Sequence, residues 1–219
     1  MAGSWVLMLT NIPNRLTLFR IGLIPVFVLV FYLPVGWTNL AAAAIYGLAA
    51  LTDWLDGYLA RRLDQTSSFG AFLDPVADKL MVTVALVLLV QRDPNPWLAV
   101  PACIIVGREI AISALREWMA AVGERSKVKV MSLGKLKTTA QMLAIVLMLY
   151  AAPSQHSILY DIGFILLYLA ALLTLWSMVL YLRAARSVLL VPPGQAESRA
   201  SSLDTSKRST KIKPPGLRE

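Results

Sequence analysis

The chain has 219 residues, of which 57% are hydrophobic and 16% charged, and its mean hydropathy is +0.63. That balance excludes an ordinary water-soluble domain and defines an integral membrane protein. The basic excess, 21 Lys and Arg against 13 Asp and Glu, would suggest nucleic acid as a partner of a soluble chain; in a membrane chain it follows the positive-inside rule and attraction to anionic headgroups, so no nucleic acid is expected.

In chain order, the first stretch, MAGSWVLMLTNIPNRLT, has neither the basic start nor the cleavage pattern of a secretory signal. Its short apolar piece before Asn11 and Pro13 predicts an interfacial helix, so residues 1–13 form an interfacial N-terminal segment. Six apolar segments then approach the roughly 20 residues that a helix needs to cross a bilayer: 17–33, 40–61, 74–90, 97–119, 136–152 and 158–182. They predict an all-α, polytopic fold with six transmembrane helices over residues 14–186. The connections LPVGWTN, QRDPNPW and AAPSQHS carry turn signals and a single basic residue, Arg92. The connection after the second segment holds Arg61 and Arg62, and the one after the fourth holds Arg125, Lys127, Lys129, Lys135 and Lys137. Basic connections stay in the cytoplasm, which predicts cytoplasmic N- and C-termini. Residues 187–219 are rich in Ser, Pro and charge and predict a basic, disordered tail. Trp37, Trp97 and Tyr160 fall near segment ends and read as interfacial anchors, His156 and Asp64 as solvated loop residues, and the one cysteine, Cys103, as a small buried hydrophobe.

The chemistry concentrates between Asp53 and Lys79, where the spacing is D-x2-D-G-x2-A-R-x8-G-x3-D-x3-D, carried by Asp53, Asp56, Gly57, Ala60, Arg61, Gly70, Asp74 and Asp78. Carboxylates near membrane depth are costly and are kept chiefly where they pair, bind ions or move protons. At three and four residues apart, each Asp pair projects from one helix face, and Gly70 lies four residues before Asp74 on the second stripe. Facing one another, the pairs would suit two hard divalent cations with oxygen ligands. Gly57 removes a side chain beside a ligand and Ala60 keeps that face shallow, while Arg61 offers a fork of donors for phosphate.

At every defined position this motif resembles the signature of the CDP-alcohol phosphotransferase family, and the resemblance extends over about residues 11–182. It implies a six-helix membrane enzyme with a cytoplasmic-side active site that displaces CMP from a CDP-linked donor by an alcohol, using Mg2+ or Mn2+, and that forms a homodimer. By matching position, the resemblance makes Asp53, Asp56 and Asp74 metal ligands and Asp78 a ligand that also serves as general base. Gly57, Arg61 and Ser67, together with Ala60 and Gly70, would meet the CDP-diacylglycerol donor. The segment NIPNRLTLFR resembles the family's first span, which brings Asn14 and Thr17 close to the nucleotide.

The acceptor is the open choice. Arg108 and Arg116 stand eight residues apart, roughly on one helix face, and Lys135 and Lys137 open the fifth segment; a phosphorylated acceptor needs such cations. The stretches NIPNRLTLFRIGLIP, GREIAISALREWM and SLGKLKTTAQM resemble members of the family that transfer phosphatidyl from CDP-diacylglycerol to glycerol 3-phosphate. Serine or inositol phosphate as acceptor, and from another class a cation-coupled transporter, are the rival readings.

Overall fold

Apolar runs that must satisfy every backbone group internally have the helix as their solution in a bilayer, and a computed structural model of the chain shows that solution throughout its described residues, 12–63, 68–121, 133–151 and 157–189. Six helices occur there: α1 Ile12–Phe31, α2 Thr38–Leu63, α3 Ser68–Arg92, α4 Pro96–Ala121, α5 Leu133–Tyr150 and α6 Ile158–Leu189. Of the expected interfacial segment, residues 12–13 open α1, where Pro13 lies in the first turn and its missing N–H removes no helical bond. The rest of that segment, residues 1–11, lies outside the described residues, as do residues 190–219 of the expected tail, Asp64, Ser67 and His156. α3 begins earlier than expected, so Pro75 sits inside it, as Pro25 and Pro101 do inside α1 and α4.

Among the described residues, three helices are long and apolar enough by themselves to cross a membrane, over Asn14–Phe31, Pro96–Met119 and Ile158–Arg183. α2 and α3 fall short because they carry the aspartates, and the apolar run of α5 is shorter, Lys137–Tyr150. The outer surface is strongly apolar: Leu29, Leu40, Val87, Trp97, Ile158 and Ile165 are all exposed. Exposed large side chains in such number are a lipid-facing surface. Cys103 belongs to that surface: it is exposed on α4 and not buried as expected, because it points away from the helices that α4 packs against.

α1 packs along both α2 and α3, α2 along α5, α5 along α6, and α6 along α4, while among the described residues α2 and α3 touch each other only sparsely. Each helix contributes to one core, for example Phe27, Tyr46, Leu89, Ile105, Ile145 and Leu167. Ala42, Ala43 and Ala49 let α2 approach closely, as small residues do between membrane helices. α5 and α6 approach each other closely at Gly163. A Cβ built on Gly163 would stand 2.7 Å from Met148 Cγ, 3.1 Å from the Ala144 carbonyl oxygen and 3.2 Å from Leu147 Cβ. Gly163→Ala is therefore expected to lower stability by about 1–3 kcal/mol through overpacking, read as a lower midpoint of thermal unfolding in detergent.

At the end of the bundle away from the aspartates, Arg92 closes α5. Its guanidinium donates to the carbonyls of Met148 and Leu149, the latter at 3.3 Å, donates to Asn39 Oδ1 at 3.1 Å and lies 5.6 Å from the Phe31 ring centroid. A basic side chain over the last carbonyls of a helix meets both their unpaired lone pairs and the negative end of its dipole. Beside it the Tyr160 hydroxyl donates to Asp93 Oδ2 at 2.5 Å, and Tyr168 to the Trp97 carbonyl at 2.7 Å. Tyr160 is thus half-buried and tied to the α3–α4 connection, whereas Trp37 and Trp97 stand exposed as interfacial aromatics do.

Candidate active site

The aspartates of α2 and α3 are gathered by α1. Asn14, Thr17 and Arg20 recur every three residues, so they form one stripe along α1, and all three are buried. From that stripe the Thr17 hydroxyl donates to Asp74 Oδ1. Arg20 Nη1 donates to Asp53 Oδ1 at 2.9 Å and also to Asp78 Oδ1. One member of each Asp pair, Asp53 of α2 and Asp78 of α3, thus meets on a single guanidinium supplied by α1.

Arg20 is the residue that sequence reasoning missed. Its side chain is 1% exposed, while those of Asp53 and Asp78 are 30% and 39% exposed. A charge well inside an apolar span is itself a signal, since such a group is kept chiefly with a partner. Arg20, Asp53 and Asp78 also line a pocket with Tyr46, Met81 and Met142. The Tyr46 hydroxyl is buried there and has no hydrogen-bond partner among the described residues. Tyr46 precedes Asp53 by seven residues, two turns, and so lies beneath it on the same face of α2.

Of the other expected site residues, Asp56, Gly57, Ala60 and Arg61 continue α2 past Asp53, with side chains outside the described set. Gly70 lies buried in the first turn of α3. Ser67 falls outside the described residues.

The carboxylate oxygens are the donors that a hard divalent ion takes, and Asp53 and Asp78 already converge on a positive charge, so the chemistry of this cluster fits such an ion. Among the described residues no three Asp, Glu, His or Cys side chains stand close enough together to hold one. Asp56, the fourth member of the motif, is not among those side chains.

A second polar cluster lies between α4, α5 and α6. Glu109 accepts from Arg108 Nη1 at 2.8 Å and from Lys137 Nζ at 3.1 Å, and Arg108 Nη2 donates to Ser177 Oγ at 2.9 Å. Arg108 also lies 5.7 Å from the Tyr181 ring centroid. Two cations thus share one carboxylate, an excess of positive charge in a mostly buried setting. Arg108 and Lys137 come together on Glu109, while Arg116 stands exposed on α4, offset from Arg108 by about 80° around the helix, and its charge is still felt at Lys137. The side chain of Lys135 is outside the described set.

An all-helical bundle with a membrane-facing surface and a carboxylate cluster set out as D-x2-D-G-x2-A-R-x8-G-x3-D-x3-D defines a class. Residues 10–176 match the family model for CDP-alcohol phosphatidyltransferase, and the chain belongs to that family. Membership sets aside the cation-coupled transporter.

Among its relatives, a protein of Pseudomonas fluorescens is 57% identical over 176 residues, 80% of this chain and 90% of its own length. One of Pectobacterium atrosepticum is 57% identical over 182 residues, 83% of this chain and 98% of its own. One of Escherichia coli strain K12 is 55% identical over 181 residues, 82% of this chain and 97% of its own. Each of the three is named CDP-diacylglycerol--glycerol-3-phosphate 3-phosphatidyltransferase.

Proposed function

We propose that the chain is a phosphatidylglycerophosphate synthase: it transfers the phosphatidyl group of CDP-diacylglycerol to glycerol 3-phosphate, giving phosphatidylglycerol phosphate and CMP. The observation that carries this reading is the 55–57% identity, over some four-fifths of the chain, to relatives bearing that name. The Arg108–Glu109–Lys137 cluster supports the acceptor, because a phosphate needs fixed, buried cations and this cluster holds two. The reaction is tested by identifying the lipid product formed with glycerol 3-phosphate.

In this mechanism Asp53, Asp56, Asp74 and Asp78 hold divalent ions, Mg2+ or Mn2+, two per site. When bound, the ions offset the charge of the diphosphate and stabilise departing CMP. Asn14, Thr17, Gly57, Ala60, Arg61, Ser67 and Gly70 receive the CDP part of the donor, the glycines and alanine by giving room and Arg61 by its donors. Arg108, Arg116, Lys135 and Lys137 hold the acceptor phosphate, which fixes the free hydroxyl for attack. Asp78 accepts the hydroxyl proton as the acceptor oxygen bonds to the phosphatidyl phosphorus. The bond from that phosphorus to the CMP oxygen breaks, and CMP leaves with the bonding pair. Six spans, an active site and termini on the cytoplasmic side of the inner membrane, and a homodimer complete the proposal. In it Asp53 and Asp78 meet water-soluble glycerol 3-phosphate at one membrane face while the acyl chains stay in lipid.

Lys137→Ala should raise the KM for glycerol 3-phosphate by about 10- to 100-fold, the worth of one charge-assisted hydrogen bond, and leave the donor KM nearly unchanged. Initial rates over both substrates check it, with Lys137→Arg as the partial rescue. Equal changes in both KM values would remove Lys137 from the acceptor site.

A further inference from the structure

Arg20 is a guanidinium held at 1% exposure within the apolar run of α1. Removing such a group from water costs several kcal/mol unless good partners meet it. Its partners come from two different helices. Nη1 reaches Asp53 Oδ1 on α2 at 2.9 Å and Asp78 Oδ1 on α3, so one nitrogen ties together two helices that touch little among the described residues. Both of these carboxylates lie in the cluster whose chemistry suits a divalent cation, and one turn earlier Thr17 engages a third, Asp74.

We propose that Arg20 is a positioning residue that serves as the built-in counter-cation of the acidic cluster, and that it competes with divalent ions for Asp53 and Asp78. The inference rests on the proposed reading of that cluster as a divalent-ion site. A guanidinium and a metal ion draw on the same oxygens and repel one another. Linkage is reciprocal: by whatever factor a bound ion weakens the pairs of Arg20, Arg20 weakens the binding of the ion. The side chain therefore keeps facing carboxylates from driving α2 and α3 apart before an ion is bound, and it limits how tightly the ion is held afterwards.

The test uses the full chain purified in detergent, as wild type, Arg20→Gln and Arg20→Lys, with two readouts that need no turnover. Free Mn2+ measured by electron paramagnetic resonance gives the affinity, and thermal unfolding is followed in EDTA and in saturating Mn2+. Arg20→Gln should unfold at a lower temperature than wild type in EDTA, should recover most of that deficit in Mn2+, and should bind Mn2+ tighter by roughly fivefold or more. Arg20→Lys, which keeps the charge but loses the fork, should fall between the two; if Arg20→Gln does not fold, this variant decides alone by binding Mn2+ tighter than wild type. Equal or weaker Mn2+ binding in the variants, with a deficit that Mn2+ leaves unchanged, would reduce Arg20 to a tie between helices and overturn the proposal. Wild type that binds no Mn2+ at all would overturn it too, and would remove the divalent-ion reading beneath it.

Discussion

Asp78→Asn is expected to slow CMP release by about 10^2- to 10^4-fold, the usual contribution of a positioned general base. The substitution keeps the size and shape of the side chain but removes its capacity to take a proton. Arg20 also pairs with Asp53, at 2.9 Å, so the tie between α1 and α2 does not depend on Asp78. The expected pattern is a collapse of kcat with donor affinity within a few-fold of wild type, measured by single-turnover rates alongside equilibrium binding of CDP-diacylglycerol. A variant turning over at near-normal rate would take Asp78 out of the role of base. A variant that lost donor binding to the same degree would make it a structural residue.

Chelation is expected to have an effect of the same order. EDTA should reduce CMP release by at least about a hundredfold, since charge stabilisation by bound ions is worth several kcal/mol and each 1.36 kcal/mol is tenfold in rate. Mg2+ or Mn2+ added in excess should restore it. Arg20, the cation this cluster already engages, is buried and held by its two carboxylates, which leaves it poorly placed to take over the charge of a departing CMP. Asp56→Asn should shift the restoration curve toward higher Mg2+ without abolishing it at saturation, which separates a ligand from a general base. Full activity in EDTA would remove divalent ions from the account.

The sequence carried much of this, unevenly. The all-helical fold and the order of its helices follow from apolar runs bounded by turn signals, because a bilayer leaves the backbone few alternatives. Helix bounds were less legible. α3 takes in Pro75 and starts at Ser68, since a proline removes only one donor and neighbouring packing holds the helix through it.

In the site, the motif spacing made Asp53 with Asp56 and Asp74 with Asp78 legible as pairs on two helices, but not that Asp53 and Asp78 converge on one guanidinium. Spacing within a helix places residues on a face; it does not say which third helix lies against that face, and here it is α1 that brings Thr17 and Arg20 to the aspartates. Arg20 could still have been flagged from its charge within an apolar span. The pairing of Arg108 with Lys137 through Glu109 likewise depends on how α4 and α5 are brought together against α6, which spacing within one helix does not give.

The central claim is most directly tested by CMP release from the purified chain supplied with CDP-diacylglycerol and Mg2+, with glycerol 3-phosphate, serine and inositol phosphate given in separate reactions. Release is expected only with glycerol 3-phosphate, with phosphatidylglycerol phosphate as the lipid product. Release that depends on serine or inositol phosphate would contradict the acceptor and leave the motif chemistry standing, and no release with any of the three would contradict the account as a whole.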